Sequence, residues 1–105
     1  MESYIQIVTT TDKKEDAEKI ATTLVEKKLA ACVQIVGPIT STYRWKGTIE
    51  TATEWQCVIK SREVLYPEIE KAIQSIHSYE VPEIIVMSII TGSSDYLEWL
   101  RGELL

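Results

Sequence analysis

Phenylalanine and asparagine are both absent from this chain, and histidine occurs once, at His77. Missing asparagine, a thermolabile residue, is compatible with heat tolerance. One histidine cannot make an H-x-x-x-H pair. The two cysteines, Cys32 and Cys57, form no C-x-x-C, so no local motif specifies a zinc or copper site. Two cysteines are also too few for a disulfide framework, and a reducing, cytoplasmic setting is the expectation. No apolar stretch approaches the ~18 residues of a membrane span. The N-terminal "MESYIQIVTT" has no charged leader and apolar core in series, so no signal peptide is expected. Basic residues are outnumbered, 11 Lys and Arg against 16 Asp and Glu. A nucleic-acid binder gathers cations on one face; here they are interspersed with acids, and no nucleic-acid partner is expected. There is no phosphate-binding loop, dinucleotide fingerprint or G-x-S-x-G elbow. Nothing in the residues points to an enzyme.

What is present is an alternation of strand and helix within 105 residues, 45% of them hydrophobic, enough for one domain. "YIQIVTT" (4–10) is a short β-rich run. "TDKKEDAEKIATTLVEKK" carries Ala17, Ile20, Ala21, Leu24 and Val25 at helical spacing, with Asp12 as N-cap and Glu15 completing a capping box. "ACVQIVGPITSTYRW" and "TIETATEWQCVIKS" read as the arms of a long antiparallel hairpin turning at Lys46-Gly47. Gly37-Pro38 marks a bulge or bend, because proline cannot donate to the ladder. "VLYPEIEKAIQSIH" is a second amphipathic helix with Pro67 in its first turn. "EIIVMSII" (83–90) is apolar throughout, as a central strand covered on both faces should be. "GSSDYLEWLRGELL" closes with a helix capped by Ser93 or Ser94. The order β-α-β-β-α-β plus a C-terminal helix predicts an α+β, ferredoxin-like split-βαβ sandwich.

The hairpin arms of roughly 13–14 residues would reach ~45 Å if extended. A compact domain of this size is only ~33 Å across. The tip, with Tyr43, Trp45 and Ile49, must bend sharply or project, and a projecting ribbon is marginal in water. Exposed aromatic edges invite pairing, so a homo-oligomer is expected.

The candidate site residues are scattered. Each cysteine lies in a strand, where a free thiol is ordinarily a small buried hydrophobe. In an unbulged hairpin Cys57 would face Val36, which speaks against a Cys32–Cys57 disulfide. Lys60 ends the third strand, and His77, Tyr79 and Glu83 lie in the connection to the last. In a split-βαβ sheet these segments can meet, making Lys60 and Glu83 either a salt bridge or the charged wall of a pocket. His77 at a helix C-terminus also suits the helix dipole when protonated.

Taken in order, "LAACVQI", "GPITSTYRWKGTIE", "WQCVIKS", "HSYEVPEII" and "DYLEWL" resemble the CutA family, the divalent-cation tolerance proteins. The combination of W-x-G, H-x-Y-x-x-P-E and Y-L-x-W-L carries the resemblance along nearly the whole chain. It implies a ferredoxin-like subunit in a homotrimer whose long hairpins embrace neighbours, akin to the PII signalling proteins. It places Tyr43, Trp45 and Trp99 at the trimer interface, and Cys32, Lys60, His77, Tyr79 and Glu83 along a cleft between subunits. Copper-binding members carry a cysteine at the end of the first strand and a His-His pair, where this chain reads Thr9 and Ile76-His77. The resemblance therefore implies weak or conditional binding of a divalent metal such as Cu(II), not required for folding. His77 is the ligand, joined by Cys32 if the fold brings them together. A PII-like module that binds a small molecule or partner segment in the same clefts is the alternative.

Overall fold

The computed structural model describes residues 3–105. Four strands form one antiparallel sheet: β1 (Tyr4–Thr11), β2 (Cys32–Trp45), β3 (Thr48–Arg62) and β4 (Ile84–Ile89), in the order β2-β3-β1-β4. Helices α1 (Lys14–Glu26) and α2 (Tyr66–Ile76) cover one face, and α3 (Ser94–Gly102) ends the chain. This is the α+β arrangement that the alternation predicts.

Strand periodicity decides the two faces. Ile5, Ile7, Thr9, Cys57 and Ile59 share the helix-covered face with Val33 and Ile35. Ile5, Ile7, Cys57 and Ile59 meet Ala17, Ile20 and Leu24 of α1 and Ile69, Ala72 and Ile73 of α2 in one buried cluster, with Val33 and Ile35 packed against it. Helical spacing puts those α1 and α2 residues on single stripes, and the sheet supplies the complementary apolar layer.

Several local expectations resolve differently. Asp12 is not the cap of α1. The helix starts one residue later, from Lys13 with no side-chain cap, and Asp12 instead accepts a hydrogen bond from Ser78 Oγ. Long-range tethering has outcompeted the local capping box. Ser93 does cap α3, its Oγ accepting from the Tyr96 N–H. Pro67 falls in the first turn of α2 as expected. The hairpin turn has Lys46 and Gly47 both at positive φ, 50° and 82°, the left-handed pair whose twist matches the flanking strands. The register of β2 against β3 shifts between Val36 and Ile39. In consequence Cys57 lies opposite Ile35 rather than Val36, and Cys32 opposite Lys60. The cysteines sit on opposite faces, and both are free.

The strand expected to be central, β4, is an edge strand beside β1. Its apolar side chains on the uncovered face, Ile85 and Met87, are 50% and 41% exposed. The hairpin arms run for 14 and 15 residues, and the chain measures 45 × 25 × 22 Å. Its long axis thus exceeds the ~33 Å of a compact domain of this size.

Burial also sets a pH response. Cys57 is fully buried, its Sγ–H pointing at the Ala17 carbonyl 3.6 Å away. Burial pushes its thiol up from 9.0 to about 11. A pKa raised by folding stabilises the fold fully below the unfolded value, and the contribution disappears as pH climbs through the folded one. The unfolding free energy from denaturant titration should therefore fall between about pH 9 and pH 11, by on the order of 2 kcal/mol. Cys57→Ala should show a shallower loss over that interval; an unchanged slope would refute the assignment.

Candidate functional site

The uncovered face of the sheet carries the even-numbered residues of β1 and β3: Gln6, Val8 and Thr10 beside Lys60, Val58, Gln56 and Glu54. Beyond the bulge, Ile39, Ser41, Tyr43 and Trp45 lie across from Glu54, Ala52, Glu50 and Thr48 on that same face. The connection from α2 to β4 folds over its upper end. A cleft of about 790 Å³ results, lined by Thr10, Tyr43, Trp45 and Glu54 from the sheet and by Tyr79 and Glu83 from the connection, among others.

His77 latches that connection down. As the residue after α2, it donates its backbone N–H to the Ile73 carbonyl. Its Nδ1 accepts from the Tyr79 N–H at 3.1 Å. An acceptor at Nδ1 puts the proton of a neutral ring on Nε2, which donates to the Thr10 carbonyl at 2.7 Å. Both ring nitrogens are thus engaged by backbone groups. Coordination would require one of these bonds to break, since a ligating nitrogen must present a free lone pair.

Tyr79 is held by this latch with its ring 4.9 Å from the imidazole. Its hydroxyl donates to Glu54 Oε2 at 2.7 Å. Burial, then the hydrogen bond to Glu54, raise the phenol well above its ordinary pKa; it is a neutral donor throughout the physiological range. Glu54 is 5% exposed.

The candidate residues do not converge. Cys32 pairs with Lys60, whereas the Thr10 carbonyl that holds His77 belongs to a residue paired with Gln56. Four residues along the strands and two strand spacings across separate Cys32 from the His77 latch by ~16 Å. Within one chain they cannot share a metal at ~2.0–2.3 Å bond lengths, which corrects the single-site pairing. No group of three or more His, Cys, Asp or Glu suited to a metal occurs among the described residues. Lys60 is likewise not beside Glu83: it lies ~20 Å along β3 from Glu54. There it donates to Gln34 Oε1 at 2.9 Å and stands 5.9 Å above the Tyr96 ring. Within one chain the wall expected of Lys60, Tyr79 and Glu83 is thus only Tyr79 and Glu83. Tyr43 and Trp45 join them, while Trp99 packs near Tyr96 with ring centres 5.6 Å apart.

Sequence reasoning missed Glu54, which reads as a surface carboxylate. A signal existed: an acidic residue inside a β-rich arm, a position where acids are depleted.

The chain is 39% identical over 95 residues to the divalent-cation tolerance protein CutA of Thermus thermophilus, covering 90% of this chain and 92% of the other. It is 39% identical over 98 residues to the chloroplastic CutA of Arabidopsis thaliana, covering 93% of this chain and 54% of that one. The chain spans about half the length of the plant and animal relatives it matches. Among solved structures, CutA1 of Oryza sativa superposes with a TM-score of 0.95 at 37% identity, covering 98% and 94% of the two chains. The periplasmic divalent cation tolerance protein CutA of Archaeoglobus fulgidus gives 0.92 at 39% identity, covering 95% and 97%. Two of these relatives overturn the cytoplasmic expectation, because one is described as chloroplastic and one as periplasmic. Cysteine usage in a small strand-rich fold does not report the compartment. No helix among the described residues is long and apolar enough to cross a membrane. Residues 5–103 match the family described as CutA1 divalent ion tolerance protein, and the chain belongs to that family.

Proposed function

We propose that this chain serves divalent-metal tolerance as a non-catalytic homotrimer that binds copper-type ions weakly or conditionally, through groups brought together between subunits. The observation that carries the reading is the uncovered sheet face. Val36, Ile85 and Met87 stand exposed on it, and Tyr96 and Trp99 of the neighbouring α3 are exposed too. Apolar side chains exposed in this number are costly to leave in water, and other subunits would cover them. Assembly would also give His77 and Cys32, ~16 Å apart in one chain, a route to ligands on a neighbour.

Two measurements test this. Sedimentation at micromolar concentration should give three times the chain mass; a stable folded monomer overturns the assembly. Calorimetric titration with Cu(II) should show a weak site per subunit that His77→Ala or Cys32→Ser diminishes. Isotherms identical to the parent's would remove those two residues as ligands.

The cleft over Glu54 and Tyr79 supports a second reading, a PII-like module that binds a small molecule. Thermal-shift screening of small cations, anions and neutral compounds tests it, and it fails if only metals move the transition.

A further inference from the structure

His77 holds its connection with the same two nitrogens that a metal would need. A neutral imidazole carries one N–H and one lone pair, on different nitrogens. Here the backbone dictates which is which. The Thr10 carbonyl can only accept, so Nε2 carries the proton across their 2.7 Å separation. The Tyr79 N–H can only donate, so the lone pair sits on Nδ1, 3.1 Å away.

Coordination takes a ring lone pair, and the two ways of taking it end alike. A metal at Nδ1 displaces the Tyr79 N–H directly. A metal at Nε2 breaks the bond to Thr10 and moves the ring proton to Nδ1, where it meets the Tyr79 N–H, donor against donor. A ligating histidine needs an acceptor for its other N–H, and a backbone amide nitrogen is not one. On either nitrogen, the Tyr79 amide loses its partner.

That loss reaches a segment held down at few points. Residues 77–83 join α2 to β4 with no helix or strand of their own. Besides the imidazole, Ser78 Oγ donates to Asp12 Oδ1 at 3.2 Å and the Tyr79 hydroxyl donates to Glu54 Oε2 at 2.7 Å. Glu80, Val81 and Glu83 are exposed. All of these bonds lie within one chain, so the latch does not depend on what covers the sheet face.

We propose that the latch is an autoinhibitory contact: a divalent ion binds His77 only as the ring lets go of the Tyr79 amide, so binding and release of the connection are one event. The inference rests on the metal-binding reading above and supplies the reason that such binding is weak. Apparent affinity falls by the fraction of molecules in which the binding-competent state is populated. Ser78 and Tyr79 then oppose binding without touching the ion, because their bonds to Asp12 and Glu54 favour the closed connection.

The test titrates Zn(II), a diamagnetic ion, into the assembled, isotopically labelled protein while following the His77 ring nitrogens and the Tyr79 amide by NMR. The chain has a single histidine, so the ring signals identify themselves. Without metal the proton should be found on Nε2. With Zn(II) the ring nitrogens and the Tyr79 amide should shift along one saturation curve, and the amide should exchange with solvent faster. Ring signals that saturate while the Tyr79 amide keeps its shift and exchange rate would overturn the proposal and leave the metal reading standing. Ring signals that Zn(II) does not shift and paramagnetic Cu(II) does not broaden would remove His77 as a ligand, and both would fall. Tyr79→Phe keeps the backbone N–H but loses the bond to Glu54, so it should tighten Zn(II) binding about three- to tenfold. Losing a ligand acts in the opposite direction, so unchanged or weaker binding in this variant also overturns the proposal. Tyr66→Phe, which breaks a similar bond to Glu70 within α2, should leave the affinity as it was; equal tightening there would show that the gain does not come from the latch. The measurements on the parent protein decide the matter even if Tyr79→Phe does not fold.

Discussion

Leu24→Ala should lower the unfolding free energy by about 2–5 kcal/mol, the largest effect expected of a single substitution here. Leu24 is fully buried on the inner stripe of α1, within the cluster formed by both helices and the sheet. Removing its side chain forfeits the transfer energy of the lost atoms and leaves a space that the paired strands beneath cannot collapse to fill. Alanine is the better helix former, so propensity alone gives the opposite sign. Val25, the next residue along, is 45% exposed; Val25→Ala should change stability by less than about 1 kcal/mol. Urea midpoints at one fixed protein concentration make the comparison, because self-association would add a concentration-dependent contribution. Equal losses at the two positions would show that α1 is not anchored through this stripe.

Gly37→Ala should cost about 1–3 kcal/mol for the opposite reason, too little room. A Cβ at Gly37 would lie 2.6 Å from Cδ1 of Trp55, 3.0 Å from its Cγ and 3.1 Å from the Glu54 carbonyl oxygen. The indole would have to swing aside, and the carbonyl belongs to strand backbone that cannot yield without disturbing β3. Since Glu54 and Trp55 are adjacent, the strain falls on the strand segment that carries the buried carboxylate of the cleft. The near-ultraviolet circular dichroism of the tryptophans should change with the midpoint. Gly102→Ala is the control: its Cβ would meet nothing within 4 Å at the end of α3, and better helix propensity makes it neutral or stabilising by up to about 1 kcal/mol. If the two alanines behave alike, the bulge accommodates a side chain and the close approach to Trp55 is not limiting.

The fold was legible where local chemistry and tertiary packing agree. The stripes of α1 and α2, the Lys46-Gly47 turn, the Ser93 cap and the bulge at Gly37-Pro38 all follow from spacing and backbone preference. Asp12 shows the limit: a good capping residue was claimed by Ser78, which lies 66 positions away, and no local rule registers that competitor. The apolar run of β4 shows another. Its composition states that both faces prefer to be out of water, but within one chain it lies at the edge, with Ile85 and Met87 uncovered.

By itself the sequence determined the order of elements, the two faces of each strand and the family to which the chain belongs. Those depend on side-chain period, turn chemistry and motifs contiguous along the chain. Only the tertiary structure decided which candidate residues meet. His77, at the end of α2, and Cys32, on β2, are each plausible alone but stand apart within one chain, and Lys60 is far from Glu83. Glu54, which reads as a solvated surface charge, is instead buried under Tyr79. The physical reason is register: a shift of one position in strand pairing changes which side chains face each other, and the decisive bulge and latch join residues far apart in sequence.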